Sequence, residues 1–179
     1  MRESAWYLSE LDISKHVVPY AYIEEGHYFP FLMRDEINKG KSSKEGLFPH
    51  CLYSFPNLPD GLLRTSVNQL SHFLMAYINK GAYKNRRILE ENTVSNILSP
   101  QLDKSELPKW LLNQGLSWFE VIRLDNGKSV WEHSGDDPGV STIMSFCQND
   151  GNGTIVFTNT STKSVVDISK RLYQEIAAI

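Results

Sequence analysis

The segment Trp131-Glu132-His133-Ser134-Gly135-Asp136-Asp137-Pro138-Gly139-Val140-Ser141 brings an imidazole, two hydroxyls, two glycines and three carboxylates close together in the chain. It places a His, a hydroxyl and a Gly at the end of one expected strand, before a Pro-Gly turn into the next. Acyl transfer needs donors that stabilise charge on a carbonyl oxygen. A glycine lets a substrate approach a strand edge, and the backbone N–H that follows can serve an oxyanion hole. Asp136 with Asp137 also has the form of a paired-carboxylate site, but a turn before Pro138 explains the pair more simply.

Other chemistries fit less well. His16, His27, His50, His72 and His133 show no metal-ligand spacing, so no metal is expected. Glu24 and Glu25 with His27 read as a solvated loop. Cys51 and Cys147 match no zinc or redox pattern and read as two free thiols, with a disulfide left open. No Gly-x-Ser-x-Gly elbow occurs, which argues against an α/β-hydrolase. Thr160-Ser-Thr-Lys163 has the Ser-x-x-Lys spacing but begins with Thr and precedes the last helix. Tyr77-Ile-Asn79, Tyr83-Lys-Asn85 and Ser66-Val-Asn68 repeat a Tyr/Ser-x-Asn form by chance, and Tyr77 sits on an apolar helix stripe.

These residues are positioned by an expected α+β arrangement. Residues 1–60 read as an irregular, loop-rich segment, 61–112 as a helical segment, and 113–179 as an antiparallel sheet with a C-terminal helix, all within one domain. In the helical segment, Val67, Leu70, Phe73, Leu74, Tyr77 and Ile78 recur at the spacing of one buried helix face. Ser66 with Gln69 resembles a capping box, and Gly81 is placed to end the helix. A second helix spans about Asn92 to Leu98 and stops before Pro100. The sheet holds three to four strands: Gly115 to Leu124, Lys128 to His133 after the Asp125-Asn126-Gly127 turn, Val140 to Gln148, and Thr154 to Asn159. A final helix from Ser164 to Ala178 carries Val165, Ile168, Leu172 and Ile176 on one stripe. Trp110, Trp118 and Trp131 read as core or cleft-lining aromatics.

Composition bounds the function. At 179 residues, a net charge of −3 and 41% hydrophobic residues, the chain has the profile of one globular domain. It lacks the basic balance of a nucleic-acid binder, since the one basic-rich stretch, Lys39 to Lys44, is short and mixed with Gly and Ser. No run reaches the ~18 apolar residues needed to span a bilayer, and the start has no signal-peptide h-region.

The segment around His133 resembles the third motif of the class C β-lactamase, D-Ala-D-Ala carboxypeptidase and esterase superfamily, the penicillin-recognising serine hydrolases. Members carry Lys-Thr-Gly or His-Ser/Thr-Gly there, often followed by Pro-Gly. Asp60-Gly61-Leu-Leu-Arg-Thr65-Ser66-Val-Asn-Gln-Leu70-Ser-His-Phe73 resembles the family's Gly-Gly-Leu-x-Ser-Thr-x-x-Asp-Leu-x-x-Phe stretch. Leu89, Thr93, Val94 and Leu98-Ser-Pro100-Gln resemble its continuation. Gly115-Leu-Ser-Trp118 is similar to its Gly-Leu-Gly-Trp strand, and Val156-Phe-Thr158-Asn159 to its last strand. These stretches follow the family's order over residues 50–160.

The resemblance implies a partial serine β-lactamase-like fold. It implies that His133 and Ser134 face a cleft, that Gly135 keeps it open, and that the Asp136 N–H is the oxyanion donor. The family more often carries Gly, Ser or Ala at position 136, so an acid there changes the polarity of the cleft. The implied substrate is a small molecule or peptide with a carbonyl group: a β-lactam, a D-Ala peptide or an ester, with no cofactor. The family's nucleophile motif, Ser-x-x-Lys, occurs nowhere in these residues. The chain is therefore expected to begin after the family's Tyr motif and to be inactive alone. The alternative is a non-catalytic or peptide-binding domain of the same fold. The missing half would also pair beside the strand at Thr154 to Asn159, leaving an apolar edge open to another chain, either that half or a second copy. Relatives of this kind are often exported, and an export signal would lie outside this sequence.

Overall fold

Local chemistry starts the fold well. In the computed structural model, the Ser66 side chain accepts a hydrogen bond from the Gln69 backbone N–H at 3.2 Å, capping α1 (Val67–Ile78). The helix ends in a Schellman arrangement. Lys80, not a glycine, takes the left-handed conformation at φ 51°, and the Gly81 N–H donates to the Ala76 carbonyl at 2.7 Å. The structure describes residues 3–23, 46–50, 52–54, 56, 58, 60–160 and 164–177. Glu24, Glu25 and His27, the stretch from Lys39 to Lys44, Cys51 and Lys163 lie outside them, and Cys147 is a buried free thiol.

Among the described residues, β1 (Tyr20–Ile23) pairs antiparallel with β2 (Gly46–Pro49), and β3 (Ala82–Tyr83) with β4 (Arg86–Arg87). The main sheet has five antiparallel strands side by side in chain order: β5 (Asn113–Gln114), β6 (Phe119–Ile122), β7 (Ser129–Asp137), β8 (Val140–Cys147) and β9 (Asn152–Thr158). The expected α+β class stands, with one strand more than expected. Of the expected strand from Gly115 to Leu124, only Phe119–Ile122 is a strand, because Gly115 to Trp118 turns the chain between β5 and β6.

Helices pack on both faces of this sheet. Leu74 of α1 and Val94 of α2 (Glu91–Ile97) form one core with Trp118, Trp131 and Phe146. Trp118 and Phe146 are edge-on at 5.2 Å and almost fully buried, and burial of each such side chain contributes about 1.5–3 kcal/mol. Trp110, in contrast, is 64% exposed. On the other face α3 (Val165–Ala177) buries Val165, Ser169 and Tyr173, while Leu172 of the expected apolar stripe is exposed.

The reason for that shift is a buried hydroxyl cluster. Ser145 and Thr154 of the sheet meet Ser169 and Tyr173 of α3 through three hydroxyl contacts of 2.6–3.3 Å and touch each other at 3.0 Å. Buried hydroxyls are tolerated when each has a partner, and here every one does. At the sheet edge, no described strand pairs with the outer side of β9. Just beyond its end, the Tyr20 N–H donates to the Asn159 carbonyl at 2.8 Å.

Candidate functional site

The site residues lie on the second half of β7, and the sheet register exposes that half. β6 pairs only with Ser129 to Glu132, whereas β8 pairs with β7 from Trp131 to Asp137. The strand therefore runs past its β6 neighbour, and among the described residues no strand pairs with the outer backbone edge of His133 to Asp137. Val130 and Trp131 hold the other half of the strand in two separate cores.

The direction of the backbone groups follows from the pairing. Thr158 donates its hydroxyl to the Ser141 carbonyl at 3.1 Å, so the Ser141 main-chain groups point toward β9. Asp136, opposite Ser141, then forms a non-hydrogen-bonded pair with it. Its N–H and C=O point away from β8, toward the uncovered edge. Two residues earlier, Ser134 does the same. The groups of His133, Gly135 and Asp137 point instead into the ladder with β8.

Each side chain has a defined environment. His133 is exposed, with its ring 6.4 Å from that of Phe119 in a stacked arrangement, and its Nδ1 lies 2.7 Å from the Ser117 carbonyl oxygen. Ser134 is exposed, and Gly135 is pressed close to β8: a Cβ there would lie 3.0 Å from Thr142 Oγ1. Asp136 accepts a hydrogen bond from the Ser141 hydroxyl at 2.6 Å, which ties its carboxylate to β8. Strand alternation sends His133 and Gly135 to one face and Ser134 and Asp136 to the other. What the four share is the uncovered edge.

The hairpin tip is braced. Gly139 has φ 76°, and a Cβ on it would lie 2.9 Å from the Tyr20 nitrogen, so the turn needs glycine on two counts. Tyr53 donates its hydroxyl to the Pro138 carbonyl at 3.0 Å. Burial pushes the Asp137 carboxyl above its ordinary range, and the nearby charges of Asp136 and Asp60 push it further. This end of the site is acidic.

The other tempting motifs have structural roles. Tyr77 packs its ring 5.0 Å from that of Trp118. Lys84 and Asn85 both have positive φ and form the tight turn between β3 and β4. Among the described residues no three His, Cys, Asp or Glu side chains cluster as metal ligands, and no helix is long and apolar enough to cross a membrane. Sequence reasoning missed Ser117, although it sits where the similar Gly-Leu-Gly-Trp pattern has its second glycine. Its φ of 60° is the reason a glycine suits that position.

No family model and no curated protein sequence matches this chain. Among solved structures, the fold is similar to that of the octameric penicillin-binding protein homologue from Pyrococcus abyssi, with a TM-score of 0.66 and 15% sequence identity. The alignment covers 99% of this chain and 34% of that one, so the chain spans about a third of its length. The likeness establishes a shared fold.

Proposed function

We propose that the free edge of β7 is the carbonyl-binding wall of a penicillin-recognising serine hydrolase site, whose serine and lysine come from outside these 179 residues. The observation that carries this reading is the uncovered edge itself. Two backbone N–H groups, of Ser134 and Asp136, face it on either side of Gly135. Such donors suit a substrate carbonyl or the oxyanion formed from it. The likeness of the fold to a penicillin-binding protein homologue agrees with this reading.

In this account His133 and Ser134 flank the bound acyl group, Gly135 leaves room for it, and the Asp136 N–H is the oxyanion donor. The substrate class is an amide, ester or β-lactam carbonyl. The chain contains no Ser-x-x-Lys, so it binds the carbonyl without forming an acyl-enzyme. The absence of that motif also favours a second reading, a non-catalytic domain that holds peptides on the same edge. The outer edge of β9, unpaired among the described strands, suits pairing with another chain segment, in keeping with an oligomer.

Intact mass after exposure to a fluorophosphonate and to a β-lactam tests the incomplete-site reading. An unmodified mass is expected. A stoichiometric adduct would reveal a nucleophile within this chain and end that reading.

A further inference from the structure

A neutral histidine ring carries one proton, on either Nδ1 or Nε2, and its hydrogen-bond partners decide which. The Ser117 carbonyl oxygen lies 2.7 Å from His133 Nδ1. A carbonyl only accepts, so Nδ1 must be the protonated nitrogen. We propose that Ser117 is a positioning residue for His133: its left-handed backbone aims a carbonyl that fixes the neutral ring as the Nδ1–H tautomer and leaves Nε2 as an acceptor.

Three observations hold this arrangement in place. Ser117 has φ 60°, a conformation that sets the direction of the carbonyl after the turn. The turn is pinned on both sides, because the Leu116 N–H donates to the Ile97 carbonyl at 2.8 Å and Trp118 is buried against Tyr77 and Phe146. The Phe119 ring lies within 25° of parallel to the imidazole and restricts its plane.

The consequence is a division of roles at the end of β7. With Nδ1–H committed to Ser117, the neutral ring offers only an acceptor, at Nε2. It can receive an O–H or N–H but cannot donate to a carbonyl oxygen. Donation falls to the outward N–H groups of Ser134 and Asp136. That use of the two kinds of group rests on the function proposed above, whereas the tautomer stands independently of it.

Long-range proton–nitrogen correlation spectra of the histidine side chains in the full chain test the proposal, with His133→Gln identifying the His133 signals. The wild type should show a protonated Nδ1 and an unprotonated Nε2 for His133. Ser117→Gly, which keeps the left-handed backbone, should give the same pattern. Ser117→Val, which is strained at that φ, should lose it in favour of the Nε2–H form. An Nε2–H ring in the wild type would overturn the proposal, as would an unchanged Nδ1–H ring in folded Ser117→Val. If Ser117→Val does not fold, the wild-type and Ser117→Gly spectra decide. Ligand-induced shifts at the Ser134 and Asp136 amides report separately on the carbonyl-binding reading, so the two can fail independently.

Discussion

Arg123 grips Glu132 with a two-point fork: Nη2 donates to Oε1 at 2.7 Å and Nε to Oε2 at 3.0 Å. Glu132 is buried and immediately precedes His133, so this pair anchors β7 at the point where its β6 neighbour ends. The carboxylate, acting first through the hydrogen bond, raises the Arg123 pKa above its ordinary value. Arg123→Met should leave a buried charge without a partner and destabilise the fold by about 3 kcal/mol, the lower end of the usual range because Arg123 is one-third exposed. Replacing both residues by apolar ones should cost much less. Urea unfolding of the single and double variants checks this.

The hydroxyl cluster beneath α3 should behave as a unit. Ser145 contacts Thr154, Ser169 and Tyr173. Ser145→Ala removes the shared partner and should cost about 1–3 kcal/mol. Ser145→Ala combined with Ser169→Ala should cost less than the sum of the two, because each single change already strips partners from the same group. A double-mutant cycle by chemical denaturation measures the coupling.

Tyr173 supplies a pH test of the same cluster. Burial pushes its phenol up from 10.0 to about 12, opposed by the hydrogen bonds from Ser145 and Thr154. Between these values the unfolded chain has lost the proton that the folded protein keeps. The Tyr173 contribution is therefore complete below pH 10.0 and is lost as pH rises toward about 12. Tyr173→Phe should flatten that part of the stability–pH curve, followed by thermal unfolding across the window.

Asp137 shifts in the same direction, but in the acid range and at the site. Its raised pKa, caused by burial and then by Asp136 and Asp60, means that the folded state disfavours the charged form. The cost is absent well below the ordinary carboxylate pKa of 3.8 and is fully present above the raised value. Asp137→Asn should therefore stabilise the protein at pH 7 and give no gain in strong acid. Melting temperatures at the two pH values compare directly.

Much of this fold could be read from residue pattern. The Ser66 and Gln69 cap, the apolar face of α1 and the β7–β8–β9 meander all follow from short-range chemistry. The candidate strand was legible only as far as His133; it runs on to Asp137, so Ser134 to Asp136 lie within the strand and not beyond its end. Two features lay beyond such reasoning. The buried face of α3 carries Ser169 and Tyr173, which hydrophobic periodicity cannot distinguish from solvent-facing residues, and their partners Ser145 and Thr154 are distant in sequence. Ser117 met His133 only once the β5–β6 turn and the β6–β7 register were fixed together.

The central claim is that the uncovered edge of β7 binds a substrate carbonyl through the outward N–H groups of Ser134 and Asp136. An amide-resolved NMR titration with a β-lactam tests it most directly. The account predicts saturable shifts that are largest at the Ser134 and Asp136 amides and smaller at Gly135 and Asp137, whose N–H groups are held by β8. No saturable shift on β7, or a response centred elsewhere on the protein, would contradict it.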